Sequence, residues 1–150
     1  MGPPMNEPRY NASAVVLDGF IYVMGGCDVN SRTVSTVERF SHRTGYWENV
    51  ISMITQRQSF GAVALNGKIY VCGGLNEHGE LRDAECFDPR TWRWRSLPMM
   101  PIASAVSASS SSNSEICAVG ASNPDGSYDM QVYNIKAKQW KIVKSYRKCK

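Results

Sequence analysis

With 150 residues, 43% of them apolar, the chain is long enough for one domain with an adequate core. It shows no signal peptide and no apolar run of membrane-spanning length, and its five cysteines form no CxxC pair. These features predict a reducing, cytoplasmic location.

The net charge of +4 arises in the C-terminal third of the chain. Residues 1–100 contain ten Lys/Arg and ten Asp/Glu, whereas residues 101–150 contain seven and three. A basic cluster of this kind can bind nucleic acid or an anionic membrane, but the stacking aromatics and motifs of such sites are absent. We therefore expect a solvated outer strand, with neither nucleic acid nor membrane as a partner.

The chain begins with MGPPMNEP, residues 1–8, which predicts a linker leading into the first of three repeats. Met5 in this segment aligns with Met53 and Met100 at the later joints. A period of 46 to 48 residues is typical of propellers and solenoids, whose units bury their apolar faces by stacking on neighbours. The predicted repeats are residues 9–56, 57–103 and 104–150.

Each repeat contains four short apolar runs, none of them long enough for a helix. Turn residues such as Asn66-Gly67 separate the runs, which is the pattern of antiparallel hairpins. We therefore predict four strands per repeat, A to D, in one small sheet. In the second repeat the runs are Ala62–Leu65, Lys68–Val71, Ala84–Phe87 and Trp92–Arg95.

The third repeat departs from the other two. Ser104 occupies the position of Arg9 and Arg57, and only Gly120 remains of the glycine pair. A Ser/Ala-rich run, 103–114, gives little reason for strand A to form there. We expect this repeat to be degenerate.

The recurring residues resemble the kelch repeat of β-propeller proteins, and most of all the kelch-like adaptor subfamily. The marks are a tyrosine before a glycine pair and an aromatic residue seven positions before a tryptophan. The matching residues are Tyr22, Gly25, Gly26, Phe40 and Trp47; Tyr70, Gly73, Gly74, Phe87 and Trp94; and Gly120, Tyr133 and Trp140. The resemblance implies an all-β fold: a partial β-propeller of three four-stranded antiparallel kelch blades, half of a six-blade ring.

Three blades form only an arc, because propellers usually close with four to eight. The sequence leaves three alternatives: the chain is part of a cut six-blade ring, two copies of the chain complete one ring, or it is a truncated product without a closed state. Self-association is one of these alternatives, since an arc exposes two sheet faces that a twofold partner could cover.

Residues repeated once per blade are expected to be structural. The glycine pairs should permit close backbone approach and positive φ, and the tryptophans should pack between blades. Glu38, Glu85 and Gln131 precede the strand C aromatic, and we favour a hydrogen-bonding role within the blade over acid–base chemistry.

The long loops between strands B and C share one end of each blade with the segments that lead into strand A. In kelch-like adaptors this rim holds the partner peptide, often through positions near the start of strand A, here Asn11, Ser59 and Val106. Arg9 and Arg57 have a structural alternative, hydrogen bonds to the neighbouring blade's backbone. The predicted rim residues are Arg9, Tyr10, Asn11, Asp28, Arg32, Arg57, Ser59, Asn76, Glu77, His78, Glu80, Arg82, Asn123, Asp125 and Tyr128.

The resemblance implies a non-catalytic protein-interaction module, and more finely the substrate-recognition propeller of a cullin-3 ubiquitin ligase adaptor. An actin-binding or cytoskeletal scaffold is the alternative, and a remnant of a kelch-type copper oxidase a remote one. Only two histidines, His42 and His78, are present, so we expect no catalytic residues, no metal and no cofactor.

Overall fold

The structure is a computed structural model and describes residues 2–122 and 124–147. Regular structure within these ranges is all β, with no helix. The all-β prediction is confirmed, as is the prediction of three four-stranded antiparallel sheets, one per repeat.

The first two blades are meanders in which each long strand pairs with the next in the chain. Blade 1 consists of β1 (Ser13–Leu17), β2 (Phe20–Met24), β3 (Val37–Ser41) and β4 (Trp47–Val50). Blade 2 consists of β5 (Gly61–Leu65), β6 (Lys68–Cys72), β9 (Ala84–Asp88) and β10 (Arg93–Leu97). A small separate hairpin, β7 (Leu75–Asn76) and β8 (Gly79–Glu80), lies in the loop between β6 and β9.

Blade 3 consists of β11 (Val106–Ser112), β12 (Glu115–Ser122), β13 (Ser127–Asn134) and β14 (Gln139–Arg147). The serine-rich run therefore does form a strand, with a register shift between Ser110 and Ser112 near its end. Since β12 and β13 extend further than expected, the predicted long loop 121–129 is mostly strand.

Tight hairpins join the first two strands of blades 1 and 2. Asp18 and Gly19 have φ of 52° and 80°, and Asn66 and Gly67 have 53° and 72°. Positive φ at both central residues is the turn whose twist matches that of paired strands, and Asp-Gly and Asn-Gly adopt it readily. Local sequence thus determines the register of both hairpins.

The three sheets stand side by side around their first strands. Ser59 N–H donates to Asn11 O at 3.1 Å, and Val106 N–H donates to Ser59 O at 3.2 Å, so blades 1, 2 and 3 are joined at the starts of β1, β5 and β11. The strands of each blade then run outward from this inner edge, which is the arrangement of an arc of a propeller.

Apolar cores fill both seams between blades. The seam of blades 1 and 2 buries Leu17, Tyr22, Met24, Val37, Val50, Met53, Phe60, Ile69, Val71 and Phe87. The seam of blades 2 and 3 buries Val63, Leu65, Tyr70, Cys72, Ala84, Cys86, Met100, Val106, Ile116, Ala118 and Tyr133. The sheets therefore stabilise one another rather than standing alone.

The outward faces of the arc differ in composition. In blade 2, Ile69, Val71 and Phe87 are buried against blade 1. The corresponding face of blade 1 has no blade beside it, and Val16 there is 67% exposed. On the far face of blade 3, exposed Ser112 stands at the position that Leu65 occupies in blade 2. One outward face is thus apolar, whereas the inner strand of the other is polar.

The described residues include no helix long and apolar enough to cross a membrane.

Candidate functional site

The two kinds of loop at the predicted rim meet in the structure. Tyr10, ahead of β1, pairs through both backbone groups with Cys27 after β2, at 3.1 and 2.7 Å. Gln58, ahead of β5, pairs in the same way with Leu75, at 3.0 Å in each direction. Because the segments leading into blades 1 and 2 are each hydrogen-bonded to the long loop of their own blade, this part of the rim rests on a fixed backbone.

An open cavity of about 390 Å³ lies at the inner edge of this end, and Asn11, Ser59 and Val106 all line it. Asn11 and Ser59 stand two residues before their strands, with φ of 56° and 51°. A left-handed conformation is uncommon for residues other than glycine, and it persists where surrounding contacts hold it. The bonds between Asn11, Ser59 and Val106 described above are such contacts.

Most polar residues of the long loops hold the loops in shape. Asp28 Oδ1 accepts hydrogen bonds from the N–H groups of Asn30 and Arg32 at 2.8 and 3.0 Å. Asn76 Oδ1 accepts from His78 N–H at 2.9 Å. These are Asx turns, in which a short side chain replaces a backbone acceptor. In blade 3, Asp125 similarly accepts from Ser127 N–H at 2.8 Å.

A polar network links the loops of blades 1 and 2. Thr33 N–H donates to Glu77 Oε1 at 2.8 Å, and the amide of Gln58 donates to the Thr33 hydroxyl at 3.0 Å. Asn11 in turn donates to Gln58 Oε1 at 3.2 Å. The hydrogen bond from Thr33 N–H lowers the pKa of the exposed Glu77 carboxyl. Sequence reasoning missed Thr33 and Gln58 because their partners lie 25 to 47 residues away.

Most of the predicted rim residues are exposed, among them Asn11, Ser59, Glu77 and Arg82. Tyr10 is 48% exposed with its hydroxyl donating to Ser31 Oγ at 2.9 Å, and Arg32, Glu80 and His78 are exposed. Arg82 has a structural contact, since its Nε–H donates to Met100 O at 2.8 Å.

Two predicted rim residues in blade 3 stand differently. Tyr128 is half-buried within β13 and so belongs to the sheet rather than to a loop. Asn123 lies outside the described residues.

Arg9 and Arg57 are buried and do not belong to the exposed rim. Their side chains are 1% and 0% exposed. Arg57 donates to Gly73 O at 2.8 Å and Asp83 O at 3.1 Å, and pairs with Glu85 at 2.8 Å. A guanidinium committed to three acceptors in the interior cannot contact a partner. The structural alternative, hydrogen bonds to the backbone of the neighbouring blade, is also wrong. The Arg57 guanidinium bonds backbone carbonyls and a carboxylate of its own blade.

Glu38 and Glu85 hold the segments that lead into their blades. Glu85 accepts from the N–H groups of Ile54 and Thr55 at 2.6 and 3.0 Å, and Glu38 accepts from those of Asn6 and Glu7 at 2.8 and 3.0 Å. Each carboxylate therefore joins the incoming linker to strand C of the blade and neutralises the arginine. The structure gives these residues a joint-forming role rather than an acid–base one.

The glycine pairs receive the backbone of the next blade. Gly26 N–H donates to Arg57 O at 2.9 Å, and Gly74 N–H donates to Ser104 O at 2.8 Å. At Gly25, φ is 62° and an added Cβ would lie 2.5 Å from Arg57 O. Only glycine permits this approach, so the pair marks the docking point of consecutive blades.

The tryptophans share one contact. The indole N–H of Trp47, Trp94 and Trp140 donates to Pro3 O, Ile51 O and Pro98 O, at 2.9, 2.9 and 2.8 Å. Each ring also packs tilted on the strand C aromatic, with centroids 5.4, 5.1 and 5.0 Å apart. The tryptophan thus fastens strand D to the linker that precedes the blade.

Nothing in the described part of the chain brings three or more His, Cys, Asp or Glu side chains together as a metal site would require. Burial raises the pKa of the Cys72 thiol to about 12, so this sulfur stays protonated and poorly nucleophilic near neutral pH. The rim exposes aromatic, cationic and imidazole side chains at Tyr10, Arg32 and His78.

Residues 2–149 match the family model described as the KLHDC2/KLHL20/DRC7 Kelch-repeats domain. Relatives include human Kelch-like protein 13, 41% identical over 87 residues, and mouse Kelch-like protein 9, 40% identical over 87 residues. The Arabidopsis thaliana F-box/kelch-repeat protein At1g22040 is 39% identical over 93 residues. These alignments cover 55%, 55% and 59% of the chain, but only 13%, 14% and 19% of the relatives, so they compare a small part of longer proteins.

Proposed function

The chain belongs to the kelch-repeat family, and from that premise we propose that it is a non-catalytic module that binds a protein partner at its loop rim. One observation carries the proposal: Asn11, Ser59 and Val106, equivalent positions of the three blades, line a single open cavity beside the exposed loops. Rigid loops around a concave site suit the capture of a peptide segment, because little conformational entropy is lost on binding.

The test is selection of peptides from a random display library on the intact chain, followed by affinity measurement. We expect Arg32→Ala with His78→Ala to weaken the selected peptides at least about tenfold, since exposed contacts of a docked peptide are removed. The matched control is His42→Ala with Arg43→Ala, which removes the same two side-chain types from the opposite end of blade 1. Equal loss in both double variants would place the site elsewhere.

More finely, we propose that the partner is a ubiquitination substrate and that the chain acts as the recognition part of a cullin-3 ligase adaptor. Resemblance to the kelch-like subfamily supports this. In that division of labour the propeller captures the substrate, and cullin-3 contacts a different domain. Binding of cullin-3 by residues 1–150 alone, measured with purified proteins, would contradict it.

A cytoskeletal scaffold is the second candidate, because exposed Lys136, Lys138 and Lys141 make the outer part of blade 3 basic. Co-sedimentation with actin filaments separates the candidates, since a substrate adaptor should remain in the supernatant.

An oxidase remnant would require stoichiometric copper in the purified protein. Cytoplasmic location stays a prediction, which microscopy of the fluorescently tagged chain would test.

We further propose that the chain associates with a second copy through the outward face of blade 1. Ala14, Val16, Ile21, Val23 and Phe40 lie on this face, and their equivalents in blade 2 pack against blade 1. A second half-ring offers another blade of the same construction as the covering surface.

A further inference from the structure

We propose that the seam between blades 2 and 3, at the end opposite the loop rim, is a binding site for a multiply charged oxyanion of the phosphate type. Two adjoining cavities of about 480 and 290 Å³ open there and share Lys68 and Arg95 in their walls. Arg93 lines the first cavity and Lys138 the second. The site is independent of the proposed function, because none of these residues lies on the rim.

The equivalent region of the other seam shows what normally fills this space. Between blades 1 and 2, the Arg39 guanidinium lies 3.8 Å from the ring centroid of Phe20 and 4.8 Å from that of Trp92. It also pairs with Glu48 and donates to the Tyr22 hydroxyl at 3.1 Å. One arginine, two aromatic faces and one carboxylate thus form a filled and electrically balanced contact.

In the seam of blades 2 and 3 every one of these positions except the tyrosine has changed. Cys86 replaces Arg39, and the shorter side chain leaves the space open. Lys68 replaces Phe20, Lys138 replaces Trp92, and Arg95 replaces Glu48, as the repeat alignment and strand register show. The central cation has been lost while three surrounding positions have become cationic, so the vacant space is one that an anion would fill.

The local charges are not balanced by protein carboxylates. Asp88 is the acid in the cavity wall; Lys68 Nζ reaches its Oδ2 only at 4.0 Å, and Arg90 Nε approaches its Oδ1 at 3.9 Å. Arg93, Arg95 and Lys138 form no ion pair within the described ranges. Several converging cations with one acid favour a ligand bearing more than one negative charge.

The floor of the second cavity supplies hydroxyl groups. Tyr70 and Tyr133 line it, and burial raises the pKa of both phenols, that of Tyr70 to about 12. Arg95 lies close enough to oppose this rise at both residues. The phenols are therefore protonated across the physiological range; the Tyr70 hydroxyl bonds to Cys86, and the Tyr133 hydroxyl can donate to an anion that Arg95 binds. Leu97, Pro98 and Ile135 form an apolar wall that could accept the chain of a phosphopeptide.

The experiment is calorimetric titration of the full chain with inorganic pyrophosphate and, separately, with a phosphoserine peptide and its unphosphorylated form. We expect saturable one-to-one binding that weakens with added salt. Arg95→Ala and Lys138→Ala should each weaken it at least about tenfold, because a charge-assisted contact is lost. Pyrophosphate binding alone indicates a free anion, and preference for the phosphopeptide indicates a peptide-borne phosphate.

Two controls make the result decisive. Arg43→Ala at the same end of blade 1, and Lys141→Ala on the outer strand of blade 3, remove one charge each away from the seam and should leave affinity unchanged. Cys86→Arg with Arg95→Glu rebuilds the arginine–glutamate contact of the other seam and should abolish binding while the protein stays folded. Absence of binding to either phosphate probe, or equal weakening by Lys138→Ala and Lys141→Ala, would overturn the proposal.

Discussion

At the scale of single residues, the arginine and glutamate of the blade joint have been replaced together in blade 3. Ser104 stands where Arg57 stands, and Gln131 stands where Glu85 stands. Gln131 accepts from Ile102 N–H at 3.0 Å and donates to Ile102 O at 3.1 Å. The neutral amide therefore keeps the attachment of the linker without an arginine, and the two changes compensate each other.

This compensation predicts a strong coupling between Arg57 and Glu85. Arg57→Ser alone leaves the buried Glu85 carboxylate without its cation and should destabilise the chain by about 3 to 5 kcal/mol. Adding Glu85→Gln should recover at least about 1 kcal/mol, as the joint then resembles that of blade 3. Urea unfolding of the single and double variants measures the coupling, with Arg90→Ser, whose side chain is 88% exposed, as the surface control. Additive losses would contradict a coupled joint.

Buried acidic protons make stability fall at alkaline pH. Burial raises the pKa of Cys72 and of Tyr70 to about 12 in each case, from 9.0 and 10.0. Because the folded state holds these protons more tightly, their contribution is fully present below pH 9 and is lost as the pH rises towards 12. We expect the urea midpoint to fall over this range, and to fall less steeply in Cys72→Ala. Parallel curves for the two proteins would contradict the assignment to Cys72.

At the scale of elements, the linker before each of the first two blades is hydrogen-bonded to the outer strands of the blade that follows it. The linker before blade 2 is held by Glu85 at Ile54 and Thr55, and by the Trp94 indole at Ile51. The linker before blade 1 is held in the same way by Glu38 and Trp47. Strands C and D of a blade thus both bind the segment that precedes the blade. We therefore expect each of these two blades to unfold together with its linker.

Trp94→Phe tests the linker bond. It keeps an aromatic ring against Phe87 but removes the N–H that donates to Ile51 O, so we expect a loss of about 1 kcal/mol. Trp94→Ala should cost more, though less than the roughly 3 to 5 kcal/mol of a fully buried tryptophan, because the ring is half-buried. Thermal unfolding measures both. Tyr46→Phe, at a ring that is 74% exposed, serves as the surface control, and an equal loss there would contradict a specific role for the linker bond.

At the scale of the whole molecule, sequence predicted what depends on local signals and repetition. The Asp18-Gly19 and Asn66-Gly67 turns determine their hairpins locally, and the threefold pattern established the blades. The β7–β8 hairpin was missed because its strands are two residues long and polar. The burial of Arg57, the link between Thr33 and Glu77, and the convergence of Lys68 with Lys138 all depend on contacts between distant residues, which spacing alone does not reveal.

The asymmetry of the arc bears on self-association. Blade 1 presents an apolar outward face, and Val16 there is 67% exposed although its equivalent in blade 2, Ala64, packs into the core. Closing a ring of two copies would place this face against blade 3 of the partner, whose inner strand presents Ser112. The contact would gain its apolar burial from Val119 instead, which is 36% exposed.

Light scattering of the purified chain tests this directly. We expect a mass near twice 16.7 kDa together with a cooperative melt, because burial of the blade 1 face supplies the apolar area that the open arc lacks. Val16→Glu should shift the protein to a single-chain mass, since a carboxylate would be buried without a partner. Val29→Glu, which alters an exposed valine on a rim loop, should leave the mass unchanged. A single-chain mass with a cooperative melt in the unaltered protein would mean that the three-blade arc is stable alone, and would refute association through blade 1.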